Sequence, residues 1–584
     1  MKNPFEVQTP ENLTPKEVAA LFENVFADMP SVKKTGHTFI HGPRGSGKSM
    51  MFRYLLPEVQ KEVALTQGQA YSLHDLDQYA IHFPIKSSSI QSVDFGQSDV
   101  ARNITLGNHY LSIKACQLII KSLVTLRENF DIEQFDESMD SFKQFFDELS
   151  DDYGINTRLS SSDGGKPSLE MIKRIVDKEI RAVETYLRRN TFTSGDKATY
   201  NLGVTTFIDY VVPLLEELKK FTTNHFFLMI DDADDLDTSL QKILNTWVSH
   251  RTTGTVSLKI STQLRYATYQ TLSGGIVESP HDFNSVDLTQ IYTSKVDHYS
   301  DRVDKIIQKR LKYYGFSQNP KEFFPTDLKQ EHEIEKERQA IRVKHERGGG
   351  VSARRHDDVY RYTLPNYMTN LLNDKKSNVF SYSGFQTLVN LSSGIIRLFL
   401  EPASRMYSEC ESKQGDKDIP IESIPPNVQN SINRKWSEEF YTEELPKINA
   451  DPEDIEKLKN LIKGLGQLFA EKLLDGEASE RRVFSVFVNE PPEAVSKIID
   501  LGVSNGYFQK SSIRSKERTG RKLEIIFNRR LAPYFYLDPT GYSGRLSVTN
   551  DHLRLAMKDP EKFVRSRLKL DEKQGSESPL FPFE

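Results

Sequence analysis

From Phe39 to Leu55 the chain reads FIHGPRGSGKSMMFRYL. Within it, Gly42, Pro43, Arg44, Gly45, Ser46, Gly47, Lys48 and Ser49 follow the spacing G-x-x-x-x-G-K-[ST]. That spacing suits phosphate binding. Glycines let the backbone adopt positive φ and pass close to a ligand. Successive N–H groups then form a concavity for anions. Lys48 reaches the β- and γ-phosphates, and the Ser49 hydroxyl sits on Mg²⁺. ATP and Mg²⁺ are the expected ligands. A glycine-rich turn that matches by chance is the competing reading. The strand pattern over 37–40 and the helical pattern over 50–56 argue against it.

A second group of residues completes such a site. HFFLMIDDADDL, from His225 to Leu236, is an apolar strand that ends in paired acids. A carboxylate at the end of a buried strand orients Mg²⁺, and a second beside it polarises the attacking water. Asp231 is assigned the metal and Asp232 the base; Asp234, Asp235 and Asp237 read as a turn that caps the next helix. Thr262, or Ser261 beside it, is a candidate polar sensor, with an ordinary strand-edge hydroxyl as the alternative. Arg265 is a candidate arginine finger, in cis or toward a neighbouring subunit, and Arg251 competes with it. In LSSGIIRLFLEPA, Gly394 opens a helix and Arg397 lies one turn in, where it would reach the γ-phosphate; a structural salt bridge is the alternative.

These residues need a scaffold that brings them together. Strands at 79–85, 225–231 and 256–262 alternate with helical patterns, which predicts a parallel α/β sheet. Ligands of such sheets bind beyond the carboxyl ends of the strands. Gly42, Asp231 and Thr262 all lie just past strand ends. The 131–152 region is acidic but carries Phe135, Phe142, Phe145 and Phe146, which predicts an amphipathic insertion. Leu169, Ile172, Val176, Ile180, Val183 and Leu187 mark one face of another helix. The helix predicted over 205–221 should bend or break at Pro213.

The 584 residues, 37% hydrophobic and 27% charged, fit a soluble protein of several domains. No apolar run approaches the ~18 residues of a membrane span. MKNPFEVQTPEN lacks the apolar core of a signal peptide. Cys116 and Cys410 are far apart and make no metal-type pair, so a cytoplasmic, disulfide-free protein is expected. The net charge of -5 gives no general attraction to nucleic acid, so any such binding must come from a local patch. There is no H-E-x-x-H, no cysteine-pair zinc pattern and no G-x-S-x-G.

One such patch exists. After helical patterns at 455–474 and 493–505 comes GYFQKSSIRSKERTGRKLEIIF, two strands around a polar turn. Helices followed by such a hairpin predict a winged helix. Its tip carries Arg514, Lys516, Arg518, Arg521 and Lys522 against Glu517 alone, suited to phosphates of duplex DNA. A solvated hairpin or a protein-docking module is the alternative.

Taken in order, GPRGSGKS, FLMIDDADDL, KIST, the lid-helix IIQKRL and SGIIR resemble the AAA+ ATPases of the initiator clade. The chain is similar to the origin-recognition ATPases of archaea and eukaryotes, and to bacterial proteins of that plan. The resemblance implies an α/β P-loop AAA+ base with a parallel sheet, a helical lid and a C-terminal winged-helix domain. It also implies ATP hydrolysis with Mg²⁺, self-association through the ATPase domain, and an Asn3–Phe5 segment near adenine. The resulting division is an ATPase base over 1–295 with a helical insertion at about 130–190, and a lid over 296–412 with a charged insertion at about 324–358. A linker helix over 413–451, a winged helix over 452–540 and a tail over 541–584 follow. The family pairs Asp with Glu where this chain has Asp231 and Asp232. The shorter base implies slow hydrolysis. Two functions are carried forward: an ATP-dependent switch on duplex DNA, and a signalling ATPase of an anti-phage defence system whose winged helix binds an effector protein.

Overall fold

The structure, a computed structural model, describes residues 2–7, 9–24, 29–72, 75–86, 100–129, 139–157, 168–192, 200–222, 225–263, 266–288, 296–347, 352–373, 379–414, 420–476, 481–514, 521–540 and 544–568. The chain divides into two compact units, Gln8–Gln290 and Met1–Val7 with Ile291–Glu584.

The Gln8–Gln290 unit is built on five parallel strands: β1 (Thr38–His41), β2 (Gln78–Pro84), β3 (His225–Asp231), β4 (Val256–Thr262) and β5 (Asn284–Asp287). Their order is β2-β3-β4-β1-β5. Alternate residues of each strand feed opposite cores, as the two-residue pleat requires. Phe39, Phe226, Leu228 and Ile230 pack on one side with helices Val100–Asn129, Leu169–Phe192 and Thr238–Ser249. Ile40, Phe227 and Met229 pack on the other with helices Pro15–Leu21 and Lys48–Tyr54. Helices on both faces explain why β3 is continuously apolar rather than alternating, and why β4, VSLKIST, is buried throughout although its residues alternate apolar and polar.

The insertion belongs to the first of these cores. Phe142, Phe146, Leu169, Ile172, Val176, Ile180, Val183 and Leu187 are all buried there; Phe135 lies outside the described residues. Pro213 lies within the helical run 207–222 and does not end it. It has no N–H to give the preceding turn, and that turn, Phe207–Val211, is a π-turn that widens to an i→i+5 bond from Val212 to Phe207.

The second unit opens with a segment from the chain's start. Phe5 is fully buried among Phe323, Phe324 and Tyr407, Asn3 Nδ2 donates to Ser404 O at 3.1 Å and Arg310 Nη1 donates to Pro4 O at 2.9 Å. Helices Val296–Tyr313, Phe385–Leu391 and Ile396–Gln414 form the surrounding core. The charged stretch forms helix Leu328–Arg347, which packs on Ser352–Asn373, with Asn366 Nδ2 donating to Glu337 Oε1 at 2.9 Å.

The C-terminal sheet has the order β7-β8-β6-β9, with β6 at Val483–Asn489, β7 at Phe508–Arg514, β8 at Arg521–Phe527 and β9 at Gly544–Ser547. The β7–β8 hairpin and the flanking helices Pro452–Leu474 and Glu493–Ser504 make the winged helix. One part differs from the sequence expectation. Residues 544–568, read there as tail, supply β9 and the helices Asn550–Lys558 and Pro560–Leu568. Leu553, Ala556, Met557 and Phe563 are buried with Leu461, Leu465 and Leu468 of the Pro452–Leu474 helix. That helix is cut for close approach. A Cβ on Gly466 would lie 2.6 Å from the Phe535 ring.

Candidate nucleotide site and wing

The phosphate-loop residues leave β1 at the edge of the sheet where β3 and β4 also end; His41 is level with Thr262, and Pro84 with Asp231. Gly45 and Gly47 have φ of 88° and 99°, which non-glycine residues seldom adopt. Gly42 passes so close to its neighbours that a Cβ would meet Ser46 Oγ at 3.0 Å and Leu288 Cβ at 3.2 Å. Ser46 Oγ is buried without a hydrogen-bond partner among the described residues. Pro43 and Ser49 are half-buried, and Arg44 is exposed.

Lys48 is 5% exposed. Its Nζ donates to Gly42 O at 2.7 Å and Pro43 O at 3.2 Å. Burial lowers its pKa, opposed by the carboxylates of Asp231, Asp232 and Asp234. The cation is therefore within electrostatic reach of three acids.

Asp231 is 2% exposed at the end of β3. Burial pulls its carboxyl up, but hydrogen bonds from His82, Ser261 and Ser49 outweigh it and hold the group below its ordinary value. Ser261 Oγ donates to Asp231 Oδ1 and accepts from Asp232 N, the latter at 3.0 Å. Of the two sensor candidates, Ser261 is the one that touches the acids. The Thr262 hydroxyl instead pairs with His41 Nδ1 at 2.7 Å.

Asp232 has left-handed backbone, φ 56° and ψ 45°, which turns its side chain off the strand line. Its pKa is pushed up to about 6 by burial and then by Asp231. Asp234 Oδ1 accepts from Gln263 N at 2.9 Å, and Asp237 caps the Thr238–Ser249 helix through Ser239 N and Leu240 N.

His82 and His41 were not singled out from the sequence. His82 Nε2 lies 3.4 Å from Asp231 Oδ2, and Glu11, His82 and Asp231 offer ligand atoms within 4.8 Å of one another. The available signal was a polar imidazole inside each apolar strand, YAIHFP and FIHG. Arg265 lies outside the described residues, and Arg251 is exposed. Arg397 is half-buried, second in the Ile396–Gln414 helix, in the other unit.

A family model described as ORC-CDC6-like matches residues 3–350 and 342–548, which is most of the chain and includes the phosphate loop, the Asp231–Asp232 pair and Arg397. The chain belongs to the ORC-CDC6-like AAA+ family. Two solved structures with which this ORC-CDC6-like protein aligns come from archaea. One is the Aeropyrum pernix ORC1 protein in complex with DNA, 11% identical over 95% of this chain and 96% of that one, with a TM-score of 0.29. The other is Cdc6p from Pyrobaculum aerophilum, 10% identical over 94% and 96%, with a TM-score of 0.25. No curated protein matches. Membership rests on the sequence match.

The wing of the ORC-CDC6-like protein is the β7–β8 hairpin, whose last register pair is Arg514 opposite Arg521. Lys522 follows on β8, half-buried, opposite Ile513 and Asn489; Lys516 and Arg518 lie outside the described residues. The Glu493–Ser504 helix is different. Lys497 is paired with Asp454 at 2.6 Å, and Asp500 with Lys510 at 2.5 Å. No helix of the described residues is long and apolar enough to cross a membrane.

Proposed function

We propose that this ORC-CDC6-like protein is an ATP-dependent switch that binds ATP with Mg²⁺, hydrolyses it slowly and engages duplex DNA through its wing. The observation that carries the reading is the buried Asp231 carboxylate, bonded to Ser49 and Ser261 and in electrostatic reach of the buried Lys48 of the glycine loop. The residues fit the ligand. Ser49 and Asp231 are hard oxygen donors suited to Mg²⁺, and the close-passing Gly42 with the unpartnered Ser46 hydroxyl suits a phosphate. When bound, Mg²⁺ would neutralise charge on the phosphates.

This chain's residues would divide the remaining work. Lys48 exchanges the Gly42 and Pro43 carbonyls for phosphate oxygens, and the Gly42–Gly47 backbone cradles them. Asp232, ionised above pH 6, takes the proton of the attacking water. Ser261 keeps both acids in register, and Thr262, fixed by His41, lies next to them. Arg397 senses the γ-phosphate from the lid, and Arg265 acts as a finger toward a second subunit. Arg514, Lys516, Arg518, Arg521 and Lys522 contact DNA phosphates.

Two measurements test this. Lys48→Ala should weaken ATP binding in calorimetry with Mg²⁺ by about 10- to 100-fold, the worth of a charge-assisted bond; unchanged affinity in a folded variant rejects the site. Replacing the five wing cations with Ala should flatten the salt dependence of duplex binding by about 0.9 in slope per lost phosphate contact. The ion-paired charges on the Glu493–Ser504 helix favour the second reading, a winged helix that docks an effector protein. Equal affinity and slope in mutant and wild type would select it.

A further inference from the structure

Ser393 lies in the turn between the Phe385–Leu391 helix and the helix that carries Arg397. Its φ is +49°, and that of Gly394 is +84°. A serine in left-handed conformation persists only when its surroundings hold it, and here they can be named. Ser393 Oγ donates to Asn528 Oδ1 at 2.9 Å and accepts from Arg529 N at 2.8 Å. Its carbonyl accepts from Gln509 Nε2 at 3.0 Å. All three partners belong to the winged helix. Gln509 is on β7, the strand that ends at Arg514, and Asn528 directly follows β8. Asn528 spreads the contact further, donating from Nδ2 to Gly506 O at 2.6 Å and accepting from Arg530 N at 2.8 Å. On the lid side, the Ser392 hydroxyl meets Tyr299 OH at 2.7 Å.

The turn is therefore fixed to the root of the wing on one side and to the lid on the other. Docking of the winged helix does not depend on it alone. Tyr382 OH lies within bonding distance of Ala532 O and Leu537 O, at 3.2 and 2.9 Å, and Arg530 pairs with Glu444. A bond set that anchoring does not need, placed four residues before Arg397, points to communication. We infer that Ser393, with Asn528 and Gln509, is the positioning linkage that passes the state of Arg397 to the DNA-contacting wing. The inference rests on the proposed reading of Arg397 and of the wing.

The test is a coupling measurement on the full chain: the Kd for duplex DNA with and without ATP·Mg²⁺, and the Kd for ATP with and without duplex. The two ratios must agree, because coupling is reciprocal. Wild type should show a ratio of about 5- to 150-fold. Ser393→Gly keeps the left-handed turn and removes the hydroxyl; its ratio should fall to about 1, with the separate affinities within about threefold of wild type. Gln509→Ala, which removes only the bond to the Ser393 carbonyl, should lower the ratio in the same direction and serves if Ser393→Gly does not fold. A foldable variant with the full wild-type ratio, even if its melting point drops, overturns the linkage and leaves the proposed function standing. Wild type that fails to bind ATP or DNA at all overturns the proposed function, and the inference with it.

Discussion

Asp232 is the residue whose chemistry is most exposed to test. Burial and Asp231 push its pKa up to about 6, so it is a base above that pH and an acid below it. ATP turnover should be level from pH 7 to 8 and fall about tenfold per unit below pH 6, as loss of one essential base requires. Asp232→Asn should keep ATP affinity, lower turnover by about 10²- to 10⁴-fold and abolish that acid limb; wild-type turnover in the variant would reject the base. The same shift affects stability with a definite sign. The folded chain holds this proton more tightly than the unfolded chain, whose value is near 3.8, so its stabilising contribution is full below that value and is lost as pH rises through about 6. Asp232→Asn should therefore melt higher than wild type at pH 7.5 and gain little at pH 4, read by calorimetry of the two proteins side by side. The loop and the Asp231–Asp232 pair were legible in the sequence because their spacing is local. His82 and His41 were not, because each reaches its partner across a strand-to-strand register, His82 beside β3 and His41 beside Thr262, that no single stretch of sequence encodes.

Among the elements, the Pro452–Leu474 helix is closely engaged on its glycine face. Gly466 faces the Phe535 ring, which is 2% exposed. Gly466→Ala should cost about 1–3 kcal/mol through overpacking, despite the better helix propensity of alanine. A lowered denaturation midpoint, with ATP binding kept, is the expected outcome; an unchanged midpoint would mean that Phe535 shifts freely. The same helix shows where sequence reading stopped. β3 is legible as an uninterrupted apolar run, and the β7–β8 hairpin as two strands about a polar turn. β9, GRLS, is only four residues long and has no apolar alternation to announce it. The helix after it does carry Leu553, Ala556 and Met557 at helical spacing, but its partner face lies about ninety residues earlier, and only the fold brings the two together.

At the scale of the whole molecule, the resemblance implies self-association, and Arg265 is the residue that would make it functional. If the finger acts in trans, specific ATPase rate should climb with protein concentration in wild type and stay flat and low in Arg265→Ala, with ATP affinity equal in both. A rate independent of concentration in both would place the finger in cis or remove it. The division of the chain carries a different consequence, one of time. Phe5 is enclosed by Phe323, Phe324 and Tyr407, so its pocket does not exist until the last of these has been synthesised. At about 5–20 residues per second, roughly 20–80 s separate the birth of Phe5 from that of Tyr407. All of the Gln8–Gln290 unit emerges from the ribosome inside that interval. The sheet with the phosphate loop can therefore close while the residues ahead of it still wait for their partners.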